Sequence, residues 1–219
     1  MTNVLDELGI APRHTLQLAS NDRSRLLNFL LRWEHIETLH ACLDTLIPAN
    51  PTLVSLRDLR AKAFLAQARP DDALEVMQER LQLKTSLTAR TLLVRIHLAQ
   101  GDVDTAYQIA RTLVEEREES ALTWSLLGEV ALVRGDTQAA LNAYRRLSEL
   151  YPHSRAYLLG MVALYRARDD WVTASGYAVR LLRLADEERP LSVTYLRRLL
   201  DYFRASGEET RVADLEAEL

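Results

Sequence analysis

Cysteine is nearly absent from this chain: Cys42 stands alone in 219 residues. No disulfide can close within the chain, and no thiolate metal cluster can be assembled. A lone cysteine inside a helical pattern reads as a small buried apolar side chain. No apolar run reaches the ~18 residues of a membrane-spanning helix, so none is expected. The opening MTNVLDELGIAPRH has neither a cationic start nor the apolar core of a secretory signal, so a cytoplasmic location is expected. Seven Gly and six Pro are few, as in a helical chain that uses them as punctuation. Lys62 and Lys84 are the only lysines, so nearly all positive charge is arginine. Arginine forks carboxylates and stacks on rings better than lysine, although base composition alone can produce the same bias. A net charge of −4 argues against a chain that binds nucleic acid as a whole. Glycine-rich phosphate cradles, the H-E-x-x-H pair and the G-x-S-x-G elbow are all missing. His35 and His40 are five apart and fall on different helix faces. A non-enzymatic protein without metal or cofactor is expected.

What the chain does have is period. Hydrophobic residues make up 48% and charged residues 26%, as in folded proteins. Ala73, Ala106, Ala140 and Ala174 recur at spacings of 33, 34 and 34. The stretch 121–154, ALTWSLLGEVALVRGDTQAALNAYRRLSELYPHS, holds Trp124, Leu127 and Gly128, then Ala140, Tyr144 and Pro152. Gly135-Asp136 makes a turn between its two helical halves. This resembles the 34-residue tetratricopeptide repeat, W-x2-L-G-x2-Y, then A-x3-F, then P, with Ala131 in place of the first aromatic. The resemblance implies an all-α fold, a right-handed superhelical solenoid of antiparallel helix pairs, whose usual work is holding other proteins. Each pair has an apolar face too large to bury alone, so neighbours stack and share a core. Trp124 is expected to fill a large buried site, and its truncation to be the more damaging change compared with overpacking Ala140.

About six units follow, 20–53, 54–86, 87–120, 121–154, 155–192 and 193–219, as a single solenoid. Residues 1–19 precede them as a cap or a docking arm, with Asn3 capping a turn of Val4, Leu5 and Leu8 that Gly9 and Pro12 end. The first unit packs Leu26, Leu27 and Leu30 with Leu39, Leu43 and Leu46, and Pro51 closes it. The second has Ala61, Phe64 and Pro70-Asp71-Asp72, but Arg60 falls where an apolar residue belongs. The third has Leu93 and Gly101-Asp102, with His97 at an aromatic packing site and the acidic run Glu115–Glu119 as a solvated helix end. The fifth has Met161, Val162, Tyr165 and Leu181, with Asp169-Asp170-Trp171 at its turn and Pro190 at its end. The last has Leu199, Phe203, Gly207 and Val212. It is either its own polar cap, through Glu208, Glu209, Glu216 and Glu218, or an open end available for self-association.

The resemblance also implies a concave groove lined by the first helix of each repeat. In this sequence its positions include Arg25, Asn28 and Arg32, then Lys62 and Leu65, then Leu92, Arg95 and Leu98. Further along come Leu126, Glu129 and Leu132, Leu159 and Arg166, then Arg197, Arg198, Asp201 and Arg204. Basic residues outnumber acidic ones and an apolar row runs through the middle units, which would suit a peptide with an apolar stretch and acidic flanks. The clamp by which some family members hold a chaperone's C-terminal carboxylate is absent, since Ser24, Leu59, Thr88 and Leu92 fill its places beside Asn28. Scaffold, adaptor or assembly factor is the expected role, with a permanently assembled subunit as the alternative. An arginine-mediated nucleic-acid module comes third.

Overall fold

The computed structural model describes residues 12–32, 35–184 and 193–218. The residues offered for the N-terminal turn and Pro190 lie outside them. Twelve α-helices and a 3-10 helix, Pro12–Gln17, make up the described residues. In order these are α1 (Ser20–Arg32), α2 (Ile36–Ala49), α3 (Val54–Ala66), α4 (Pro70–Leu83), α5 (Leu87–Ala99) and α6 (Val103–Glu116). Then come α7 (Ala121–Val133), α8 (Thr137–Leu150), α9 (Arg155–Ala167), α10 (Trp171–Arg183), α11 (Val193–Ser206) and α12 (Glu209–Glu218). Odd-numbered helices open each repeat and even-numbered ones close it. The chain forms two compact units that divide within α6, residues 1–109 and 110–219.

The turn inside each of the second to sixth repeats is built the same way. Ala68, Gly101, Gly135, Asp169 and Gly207 all have positive φ, between 54° and 82°. The amide after each donates to a carbonyl five residues back: Arg69 to Phe64, Asp102 to His97, Asp136 to Ala131, Asp170 to Tyr165 and Glu208 to Phe203. This left-handed stop satisfies the last carbonyls of the first helix. The next residue then caps the second helix. Asp136 accepts from the Ala139 amide at 2.9 Å, Asp170 from Thr173 at 3.1 Å and Asp102 from Thr105 at 3.2 Å. Glycine supplies the left-handed residue at three positions without strain, whereas Ala68 carries a Cβ there. Ala68→Gly is expected to raise the unfolding free energy by about 0.5–1 kcal/mol, since left-handed strain outweighs the extra unfolded-state freedom of glycine. A denaturant midpoint that rises at unchanged slope is the check.

Hydrogen bonds to these caps hold the Asp102 and Asp170 carboxyls below their ordinary value of 3.8. A lowered folded pKa means stability that is full above the ordinary value and lost as pH falls through it. Acid titration followed by far-UV circular dichroism is therefore expected to show a loss of stability beginning below about pH 4 that Asp102→Asn and Asp170→Asn shrink.

In the first unit, Leu27, Leu30, Leu39, Leu43 and Leu46 form one core with Leu56, Leu59 and Ala63. Leu39 at the close-contact position is fully buried, so a degenerate first repeat still packs. The 3-10 helix is held against α1 by the Arg23 guanidinium, which donates to the carbonyls of Leu16 and Leu18. Ala61, Ala73, Met77, Ala89, Leu92 and Ile96 form a second core in the same unit. Arg60, anomalous in the sequence, turns out to the rim and pairs with Asp44. The charge that does go inside is Arg80, whose side chain is 2% exposed. Its Nε donates to Asp58 at 2.7 Å, and the guanidinium also bonds Ser86 Oγ and the Lys84 carbonyl. One side chain of α4 thereby ties together α3 and the loop into α5.

In the second unit, Tyr144, 2% exposed, packs against two glycines from the flanking first helices. A Cβ placed on Gly128 would lie 2.5 Å from Tyr144 Cε1, and one on Gly160 would lie 2.2 Å from it. Trp124 does not fill a buried site as expected. It is half-buried, and its indole N–H donates to the Glu118 carbonyl at 2.6 Å. Tyr151 Oη and Thr123 Oγ1 bind the neighbouring carbonyls of Glu119 and Arg117. The loop after α6 lacks the usual proline, and these three side chains hold its backbone instead. Arg57 stands at the same repeat position as Trp124 and does the same work, donating to the Pro51 carbonyl at 2.7 Å. Leu158, Val162, Ala178, Leu181, Leu199 and Phe203 form the core of α9 to α11. Glu208 and Glu216 pair with Arg211 and Arg204 in the last helix pair.

Candidate peptide-binding face

The turn just described fixes how each first helix presents its side chains. Its eighth residue, Leu27, Ala61, Val94, Gly128, Val162 or Leu200, is buried, and its ninth then falls on the open side. At that ninth place stand Asn28, Lys62, Arg95, Glu129, Ala163 and Asp201, all exposed except the half-buried Ala163. Three positions on lie Leu31, Leu65, Leu98 and Leu132, each half-buried, followed by Arg166 and Arg204, which are exposed. A row of polar heads therefore runs beside a row of leucines in the first unit, whereas in the second the leucine row stops at Leu132.

Arg25, Arg32 and Arg197 are also exposed, while the side chain of Arg198 lies outside the described residues. Leu159 is half-buried. Leu92 and Leu126 do not belong to an open face: they are 4% and 2% exposed. The sixth position of a repeat packs against the preceding pair, and a leucine there joins the shared core: Leu59 sits with α1 and α2, and Leu92 with α3 and α4. Asn28 turns back on its own helix, donating to the Ser24 carbonyl at 2.8 Å. Arg204 is engaged by Glu216 and lies 3.9 Å from Asp201. Leu122 and Val133, 45% and 57% exposed, add open apolar surface on α7 that the position pattern contains but that was not singled out in the sequence. Between α9, α10 and α11, Ala163, Arg166, Trp171, Asp201 and Tyr202 line a cleft of about 330 Å³. There the Arg166 guanidinium sits 5.9 Å from the centre of the Tyr202 ring.

The perturbed groups have structural causes. Burial pushes the Cys42 thiol up to about 11, away from thiolate reactivity. Burial likewise raises Tyr144 and, with the Tyr157 hydroxyl beside it, lifts Tyr177 to about 12. His97 is half-buried with Nδ1 3.4 Å from Asp102, as a packing residue beside a helix cap. No group of three metal-ligating side chains occurs among the described residues, and no described helix is long and apolar enough to cross a membrane.

The family model for the tetratricopeptide repeat matches residues 59–121 and 91–155. Comparison with curated proteins gives no match. Among solved structures, a thermophilic tetratricopeptide repeat protein of Thermus thermophilus superposes with a TM-score of 0.63 at 18% identity, over 75% of this chain and 89% of that one. PilW, a type IV pilus biogenesis factor, superposes with a TM-score of 0.64 at 14% identity, over 91% of both chains. PilF of Pseudomonas aeruginosa gives 0.58 at 16% identity, over 89% of this chain and 87% of its own. At such identities the likeness shows the fold alone. The family match falls on the second to fourth repeats, residues 59–155, under half of the chain; the same left-handed turn recurs in the repeats beyond it, and the fold is that of a tetratricopeptide-repeat helical solenoid.

Proposed function

We propose that this chain is an adaptor or assembly scaffold that captures a partner peptide on the exposed face of its first helices. The fold is one that serves protein interaction, and the observation that carries the reading is the paired row on that face. Exposed polar heads at the ninth positions, Lys62 and Arg95 foremost, run beside the half-buried leucines Leu65 and Leu98. Such a surface offers both a desolvated strip and hydrogen-bond donors, as peptide grooves do. Chemistry on a bound substrate forms no part of this reading, and a cytoplasmic place of action does.

Capture from native extract tests it. Wild-type protein is expected to retain a partner that an Arg95→Glu/Arg166→Glu variant of unchanged helix content loses. Retention by the variant would move the binding surface off this face. Fractionation of cells that express the tagged chain from its native locus tests the location.

A further inference from the structure

Charge in the first compact unit is sorted by layer. The first helices α1, α3 and α5 carry eight basic residues against two carboxylates, Asp22 and Asp58. The second helices α2 and α4 carry six carboxylates against one basic residue, Arg80. Asp58 and Arg80 cancel each other in the interior. Of the basic residues on the first helices, Arg23, Arg57 and Arg60 are used within the fold. Arg25, Arg32, Lys62 and Arg95 are exposed, and no acidic side chain among the described residues pairs with them. Arg25 and Arg32 are seven apart on α1, which puts them on one face. Lys62 and Arg95 hold the same repeat position on neighbouring helices. The one exposed carboxylate of this layer is Asp22, in the first turn of α1. At the ninth position, where Lys62 and Arg95 stand, the second unit has Glu129, Ala163 and Asp201; its arginines, such as Arg166, Arg197 and Arg204, stand at other positions of α9 and α11.

Resting on the proposed function above, we infer that the first-helix layer of residues 20–99 binds an acidic peptide segment that alternates side-chain carboxylates with apolar side chains. The carboxylates meet Arg25, Arg32, Lys62 and Arg95, and the apolar side chains lie on the row Leu31, Leu65 and Leu98. Four cationic heads spread over three helices call for several charges along a segment. A single chain terminus would need a local clamp, and the residues of that clamp are missing here. Three adjacent helices at about 8–10 Å spacing span, axis to axis, what some five to six extended residues cover.

The test is fluorescence anisotropy on the full chain with a labelled, C-terminally amidated peptide of about twelve residues alternating Glu and Leu. A Lys/Leu peptide and a single-stranded oligonucleotide serve as competing probes. The acidic peptide is expected to bind, more weakly as salt rises, and to lose about tenfold or more in affinity with Lys62→Glu/Arg95→Glu. Arg166→Glu/Arg197→Glu is expected to change it by less than about twofold. Circular dichroism confirms that each variant keeps its helix content. No binding of the acidic peptide, tighter binding of either competing probe, a need for a free C-terminal carboxylate, or indifference to the Lys62/Arg95 pair would each overturn the inference. If affinity falls only with the Arg166/Arg197 pair, the first-helix face stands as the binding surface and its basic half is not the site. If it falls only with Glu75→Lys/Glu79→Lys on α4, the first-helix reading itself fails.

Discussion

Asp58→Ala is expected to lower the unfolding free energy by about 3–5 kcal/mol. The Arg80 side chain is 2% exposed, and Asp58 supplies its only described carboxylate, at 2.7 Å from Nε and 3.4 Å from Nη2. Without Asp58 a guanidinium remains in the interior with only Ser86 Oγ and the Lys84 carbonyl to replace its water. Losing one partner of such a pair is far worse than losing both, because the cost lies in the uncompensated charge. The double variant Asp58→Leu/Arg80→Met is therefore expected to recover most of the loss. Urea unfolding of wild type, both single variants and the double variant closes the cycle. A single-variant loss under about 1 kcal/mol would show that Arg80 reaches water or that the helices part easily there.

The second large effect belongs to the second unit. Tyr144 packs where only glycine leaves room on two first helices, so Gly160→Ala forces a methyl to 2.2 Å from its ring. Tyrosine 144 is 2% exposed and cannot swing aside into solvent without emptying the core. The expected loss is about 1–3 kcal/mol, and Tyr144→Ala, which leaves a cavity, is expected to cost about 3–5 kcal/mol. Adding Tyr144→Leu to Gly160→Ala is expected to cost less than the two single changes together, because the smaller side chain removes the clash. Thermal unfolding of the three variants measures the coupling. Strict additivity would mean that the ring and the glycine do not share the contact.

The difference between these two sites shows what the sequence holds. Tyr144 and Gly128 were legible because both stand where the tetratricopeptide motif has a set residue type. Gly160 was not, since its sixth position carries Leu59, Leu92 and Leu126 in the repeats before it. Leu92 and Leu126 were read as open surface for the same reason: position in a repeat gives direction from the helix axis and says little about how close the neighbouring pair comes. Arg80 and Asp58 are 22 residues apart, and nothing in spacing marks two charges as each other's partners. Trp124 was read by its size, whereas in the fold its indole N–H holds a loop. Ala68 hides a left-handed turn that glycine announces in its neighbours. The exposure of Arg25, Lys62, Arg95 and Arg166 was legible from the positions that the tetratricopeptide resemblance assigns to the open side of each first helix. The sorting of that side into a basic unit and a mixed one became visible only once the interior pair had been subtracted.

Amide hydrogen exchange on the full chain, with and without its captured partner, tests the central claim most directly. Binding on the first-helix face predicts slowed exchange confined to α1, α3 and α5, with α2 and α4 unchanged. Protection concentrated on α2 and α4, or on the last helix pair alone, would contradict it.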